Sequence, residues 1–222
     1  PGHRVRFVAW RPSAITALAL SPVAGTESAA AGRSVLAIGR DNGNIDLCTW
    51  CEGQSGSIAQ GWSPVWTLLG EENYKIESLA FTASASHLRL FSTSGGSIVS
   101  EHFLPSSLTG QQAADTRTPT RTLSSHGGAI WSMAASPTGK FLAIGCEDGV
   151  VRLIDVAGDA FEHVGTGMHV APRMTRVASR ILSLAWGPPR RQMATSNDSD
   201  DDLYIIHIWR CGGIEMCSSG WS

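Results

Sequence analysis

The 222-residue chain has no uninterrupted apolar run approaching the ~18–20 residues of a membrane span, and no charged-then-apolar leader ahead of a small-residue cleavage site. These absences set the expectation of an intracellular, non-membrane protein. The first residue is Pro1, so the sequence is read as a piece or a processed product of a longer chain, with any targeting signal free to lie outside it. An even set of cysteines is also lacking. The five present, Cys48, Cys51, Cys146, Cys211 and Cys217, argue for reduced thiols over a disulfide framework. Cys48 and Cys51 form a C-x-x-C, but a zinc site would need two more ligands at a matching spacing, which Cys211 and Cys217 do not offer. Cys48 is read as a small buried apolar side chain, and neither a metal nor a cofactor is expected.

Catalytic signatures are missing too: there is no nucleophile elbow, no phosphate-binding glycine loop, no H-E-x-x-H and no paired carboxylates in a pocket-forming context. An enzyme is not expected. No segment carries a convincing 3.6-residue apolar stripe, which leaves an all-β chain. Lysine is almost absent, with Lys75 and Lys140 against fifteen arginines. The net charge of −2 excludes a global field that would draw the molecule to nucleic acid. Charge is nevertheless segregated: Arg173, Arg176, Arg180, Arg190 and Arg191 fall in a stretch without an acid, and aspartates crowd Asp198 to Asp202 directly after it.

What the chain does contain is a phrase of eight residues repeated four times. It begins at Ile15, Ile76, Ile130 and Ile181, hence at separations of 61, 54 and 51 residues. These are slightly longer than the roughly 40–45 residues of a WD-type propeller blade, leaving room for loop insertions. The third unit is the clearest. Ala129 to Ala135 is apolar, Ser136-Pro137-Thr138-Gly139-Lys140 is a turn, Phe141 to Cys146 is a strand, Glu147-Asp148-Gly149 is a tight hairpin turn and Val150 to Val156 is a β-branched strand. A weaker fourth strand is expected within Phe161 to Val170.

The other units follow the same order. In the first, Val35 to Arg40 and Asn44 to Trp50 flank Asp41-Asn42-Gly43, with Val65 to Leu69 closing the unit. The second offers Leu88 to Ser92, Ser97 to Phe103 and Thr118 to Leu123, and the fourth offers Gln192 to Ser196 and Leu203 to Trp209. The fold expected is an all-β WD-repeat β-propeller sector over residues 3–209, with about four blades near 14–69, 75–123, 126–170 and 180–209. Residues 210–222 read as an atypical tail, disordered or truncated. Four units leave a first and a last face uncovered, where closed propellers use 4–8 blades.

His126 lies four residues before Ile130, where many WD blades carry a Gly-His, although Ser125 replaces the glycine. Asp148 holds the turn position of the WD hydrogen-bond set. His126 and Asp148 are therefore expected to be structural partners, since such a buried polar pair must be satisfied. The usual Ser and Trp positions of that set are occupied by Ile144 and Ile154.

The run Gly128-Ala129-Ile130-Trp131-Ser132-Met133-Ala134-Ala135-Ser136-Pro137, followed by Gly145-Cys146-Glu147-Asp148-Gly149, resembles the cirhin family of nucleolar WD-repeat proteins. His3-Arg4-Val5-Arg6-Phe7 resembles that family's opening, and Ser179-Arg180-Ile181-Leu182-Ser183-Leu184-Ala185-Trp186 the start of its fourth unit. The resemblance implies a long protein with two tandem propellers and a helical carboxyl-terminal region, of whose first propeller this chain would be the amino-terminal part. It implies a nucleolar scaffold of the UtpA (t-UTP) subcomplex in the small-subunit processome, with other processome proteins and the 5′ external transcribed spacer of pre-rRNA as partners.

On that reading Arg173, Arg176, Arg180, Arg190 and Arg191 are candidate RNA or partner contacts, because arginine's planar fork suits phosphate contacts and base stacking. Ser199, ahead of Asp200-Asp201-Asp202, is a candidate acidophilic phosphosite. The alternative is a WD substrate receptor of a ubiquitin ligase, or another protein-interaction propeller. Against the receptor, neither Asp155 nor Trp209 sits in a Trp-Asp-x-Arg motif.

Overall fold

The computed structural model describes residues 13–21, 34–51, 61–70, 74–83, 88–104, 121–164, 177–187, 205–210 and 213–215. Among them there is no helix; they form four antiparallel sheets, each a meander in chain order. Sheet 1 comprises β1 (Ile15–Leu20), β2 (Val35–Arg40), β3 (Ile45–Cys51) and β4 (Gly61–Leu68). Sheet 2 comprises β5 (Ser78–Ala83), β6 (Leu88–Thr93), β7 (Ile98–Phe103) and β8 (Arg121–Ser124). Sheet 3 has β9 (Ile130–Ala135), β10 (Phe141–Cys146), β11 (Val151–Asp155) and β12 (Glu162–His163), and sheet 4 has β13 (Ile181–Trp186), β14 (Ile205–Arg210) and β15 (Gly213–Glu215). The repeated phrase supplies the first strand of every sheet, and these strands touch in succession: β1 meets β5, β5 meets β9 and β9 meets β13.

Local chemistry explains why the same words give the same structure. Where the phrase closes in Ser-Pro, the serine pins the next strand twice: Ser21 N–H donates to the Val35 carbonyl (2.8 Å) and its hydroxyl accepts from Val35 N–H (2.9 Å). Ser136 does the same to Phe141, at 2.8 and 3.0 Å. The hairpin turns also coincide. Arg40 N–H reaches Asn44 O at 2.9 Å and Cys146 N–H reaches Val150 O at 3.3 Å. Asn42 and Asp148 each accept from the amide two residues on, both at 3.1 Å, as Asn and Asp do in turns.

The core lies between sheets. Ile76 packs with Val35, Ala37, Ile45 and Leu47 of sheet 1; Ile130 and Met133 pack with Ala80, Phe91 and Val99 of sheet 2; Ile181 packs with Ala143 and Val151 of sheet 3. In two of the seams the seat for the phrase isoleucine is a glycine. A Cβ on Gly39 would lie 2.6 Å from Ile76 Cγ2, and one on Gly145 would lie 2.6 Å from Ile181 Cγ2, so neither position admits a side chain without moving its neighbour. The same phrase positions that are buried in sheet 2, Ile76 (4%), Leu79 (7%) and Phe81 (6%), are exposed in sheet 1 as Ile15 (56%), Leu18 (59%) and Leu20 (57%). The first strand thus presents an uncovered docking face.

A second seam is ionic. Arg89 on β6 and Glu101 on β7 are fully buried and paired. Arg89 also donates to the carbonyls of Val156 (2.7 Å), Gly158 (2.8 Å) and Ala160 (2.8 Å) in the β11–β12 connection. Arg121 on β8 donates to the other Glu101 oxygen (2.6 Å) and to Asp159 O (2.9 Å), beneath the Phe161 ring. Sheet 2 is thereby fastened to sheet 3 by charge as well as by apolar packing.

Strand limits differ from the sequence reading in instructive places. β4 begins at Gly61 and not at Val65, because Trp62 continues the ladder opposite Trp50. β12 is two residues long, and residues 165–170 of the expected strand lie outside the described residues. In sheet 4 the expected strand 192–196 also lies outside them; β14, read from sequence as a third strand, pairs directly with β13. β15 falls inside the stretch expected to be a tail. Its Gly213 pairs with Arg210 across two residues, a spacing that suits a hairpin and that composition alone did not flag.

Two outcomes test this packing. Glu101→Ala should destabilise by about 3–5 kcal/mol by leaving Arg89 charged, buried and unpaired, while Arg89→Met with Glu101→Leu should cost much less than the sum of the single changes; denaturant titration checks both. The 222-residue chain expressed alone should self-associate through β1, and Leu18→Thr with Leu20→Thr should shift it toward monomer in sedimentation equilibrium without lowering its unfolding midpoint.

Candidate functional site

Antiparallel pairing places the start of each first strand beside the end of the second: Ile15 faces Arg40, Ile130 faces Cys146 and Ile181 faces Arg210. One edge of the array therefore carries the residues entering each first strand together with each second-to-third-strand turn. At sheets 3 and 4 this edge gathers His126, Trp131, Glu147, Asp148 and Arg180.

Arg152, which the sequence reading passed over, organises one half of the cluster. Its guanidinium grips Asp148 in a fork, Nη1 to Oδ1 at 3.0 Å and Nη2 to Oδ2 at 2.7 Å, and Nη2 also donates to the His126 carbonyl at 3.3 Å. His126 and Asp148 are thus joined through Arg152, with His126 contributing its main chain. The His126 ring packs on His163, with centroids 5.2 Å apart, and His163 Nε2 lies 2.7 Å from the Ser124 carbonyl. His126 adopts a left-handed backbone (φ 54°), uncommon for a residue with a Cβ, and Gly127 follows it where a Cβ would sit 2.2 Å from Arg152 Nη1. The loop is shaped around the arginine.

The other half spans the seam between sheets. The indole N–H of Trp131 donates to Glu147 Oε2. The Arg180 guanidinium lies 4.7 Å from the Trp131 ring centroid and 3.8 Å from Glu147 Oε1. Of the five arginines singled out in sequence, Arg180 alone lies among the described residues; Arg173, Arg176, Arg190, Arg191 and the candidate phosphosite Ser199 lie outside them.

Burial pushes the Cys48 and Cys146 thiols above their ordinary range, and both are buried free cysteines, so each stays protonated and a poor nucleophile. His102 is held down to about 4, mainly by desolvation, and its Nε2 lies 2.9 Å from the Ser92 hydroxyl. Among the described residues no group of three or more His, Cys, Asp or Glu side chains could hold a metal ion.

The residues that sequence reasoning missed carried a readable signal. Glu101 and Arg121 are directly opposite on β7 and β8, and Arg89 is diagonal to Glu101, so opposite charges fall on one cross-strand row. Arg152 follows Asp148 by four residues across a tight hairpin, a spacing within reach of its fork.

Asp148→Ala should destabilise by about 1–2 kcal/mol, because it removes a charge-assisted fork and leaves Arg152 without its carboxylate. A double-mutant cycle with Arg152→Ala should show strong coupling, and a cycle with His126→Ala measures the direct term expected from sequence. Coupling near zero in the first cycle would show that the fork contributes nothing to stability.

Comparison with known proteins agrees with this architecture. The WD domain, G-beta repeat family model matches residues 117–155. The crystal structure of an active polycomb repressive complex 2 in the basal state contains a chain similar in fold, with a TM-score of 0.56 and 14% identity over 90% of this chain and 38% of that one. The chain is an all-β WD-repeat β-propeller array. In sequence it is similar to the U3 small nucleolar RNA-associated protein 4 of Schizosaccharomyces pombe, 34% identical over 183 residues, which cover 82% of this chain and 22% of that protein. It is also similar to the protein of the same name from Saccharomyces cerevisiae, 32% identical over 185 residues, covering 83% and 21%. The chain spans about a fifth of the length of these relatives.

Proposed function

We propose that this chain is a non-catalytic scaffold segment of a small-subunit processome protein, acting in early pre-rRNA processing and small ribosomal subunit biogenesis in the nucleolus. The observation that carries this reading is similarity running through more than four-fifths of the chain to proteins named for association with U3 small nucleolar RNA. The anchors at Gly128 to Pro137, Gly145 to Gly149 and Ser179 to Trp186 extend the proposal to the cirhin family and to the UtpA (t-UTP) subcomplex. Its partners would be other UtpA and processome proteins, with the 5′ external transcribed spacer as the RNA.

The mechanism is presentation of rigid loops. Sheets fastened face to face hold their edge turns at fixed spacing, which is what a multi-partner scaffold requires. Residues 3–209 would form the propeller sector. Arg173, Arg176, Arg190 and Arg191 would contact spacer phosphates or neighbouring proteins, and phosphorylation of Ser199 would deepen the acidic Asp198 to Asp202 patch and repel RNA.

Depleting the whole protein from cells should lower small-subunit rRNA and accumulate precursors that retain the 5′ spacer, while large-subunit rRNA is spared at first. The purified native complex should contain U3 RNA. Unchanged rRNA processing, or cullin and adaptor subunits in place of processome proteins, would overturn the assignment. Neutralising Arg173, Arg176, Arg190 and Arg191 together should weaken spacer crosslinking and flatten its salt dependence, by about 0.7 in the log–log slope per lost single-strand phosphate contact.

A further inference from the structure

Trp131, Glu147 and Arg180 come from three separate elements: β9, the β10–β11 turn and the residue entering β13. They meet across the seam between sheets 3 and 4. Indole to carboxylate, carboxylate to guanidinium, and guanidinium to indole face close a three-membered circuit. Trp131 is half-buried, and the side chains of Arg180 and Glu147 are both 44% exposed. The circuit therefore fixes a guanidinium plane and a carboxylate at the solvent edge of the array.

The chemistry of the trio selects among ligands. Glu147 stands 3.8 Å from Arg180 and offsets its charge, so a phosphate would gain little there. A planar group loses nothing by that neutrality, because stacking on an arginine plane or an aromatic ring does not need net charge. Glu147, ionised, is an acceptor only. The edge that complements it is one with adjacent N–H donors, as on the Watson–Crick side of guanine (N1–H and the N2 amino group).

We propose that Trp131, Arg180 and Glu147 form a stacking site for an unpaired RNA base, with guanine preferred: the base lies on the Arg180 plane that Trp131 supports and turns its donor edge to Glu147. The site rests on the reading of the chain as part of a pre-rRNA-bound complex. It gives Arg180 a role distinct from that of the phosphate-directed arginines, and it makes Glu147 the residue that sets base preference.

The test uses the native complex purified from cells through the full-length protein. Ultraviolet crosslinking with peptide mass spectrometry should place a nucleotide adduct on the segment holding Arg180, on whose plane the base lies, and hydroxyl-radical footprinting should show Arg180 more accessible after RNase digestion. Trp131→Ala should cut the adduct about tenfold. Trp131→Phe, which keeps a ring and guards against loss of folding, should retain most of it. Arg180→Lys keeps the charge but not the plane and should lose the adduct, and Glu147→Gln should erode the guanine preference.

A complex that holds U3 RNA in normal yield while the Arg180 segment carries no adduct and its footprint ignores RNase overturns the inference and leaves the proposed function standing. So does Arg180→Lys behaving like the parent, which would mean charge without stacking, or a footprint that only removal of a partner protein relieves. A complex without U3 RNA overturns the proposed function and this inference with it.

Discussion

The seating of an isoleucine from one sheet on a glycine of the sheet before it sets the geometry on which the rest depends. Ile76 on Gly39 and Ile181 on Gly145 bring two sheet faces closer than side chains at those positions would allow, and the apolar neighbours then close around the contact. Burying a side chain of this size contributes about 1.5–3 kcal/mol. No sheet can gain that from its own strands. Stability is therefore a sum over seams between neighbours, and an unoccupied seam is a cost that appears as exposed Ile15, Leu18 and Leu20.

The middle seam is fastened differently. The register that pairs Ala17 with Gly39 and Ser132 with Gly145 pairs Ser78 with Thr93 in sheet 2. Thr93 is buried and its hydroxyl finds no partner, so the glycine seat is absent where sheet 3 docks. Here Arg89, Glu101 and Arg121 take over, reaching four carbonyls of the β11–β12 connection. A buried ionic cluster is a weak source of net stability but a strict one in geometry: it fixes how sheet 3 sits on sheet 2 because any other placement would strand its charges.

Much of this was legible in sequence. The phrase marked the first strands because its apolar residues recur, and Asp-Asn-Gly and Glu-Asp-Gly marked hairpins because their chemistry is local. Strands β2 and β10 coincide with the expected limits. What was not legible depends on contacts between units. The opposite charges of Arg89 and Glu101 fall on a readable cross-strand row, but their burial shows only once the neighbouring sheet's loop is placed over them. The expected partnership of His126 and Asp148 comes from the four-residue WD set, which has no arginine between them, although Arg152 stands four residues after Asp148 and within reach of it. Sheet 4 differs for another reason: the order of the repeat places Gln192 to Ser196 next after the phrase, whereas the strand paired with β13 is the isoleucine-rich β14.

The outer face of β1 is not closed as the inner seams are: Ile15, Leu18 and Leu20 stand exposed. The register position that is glycine in sheets 1 and 3 is Trp209 in sheet 4, opposite Ser183. The sequence of β14 thus departs at this register position from the small residue that β2 and β10 carry. A sheet laid over Ile15, Leu18 and Leu20 would need an apolar face, with either a small residue in its second strand, as in sheets 1 and 3, or an ionic fastening of the kind sheet 2 uses. The exposed apolar face belongs to β1 of sheet 1, whereas Trp131, Glu147 and Arg180 meet at the edge turns of sheets 3 and 4, so the two are separate surfaces with separate chemistry.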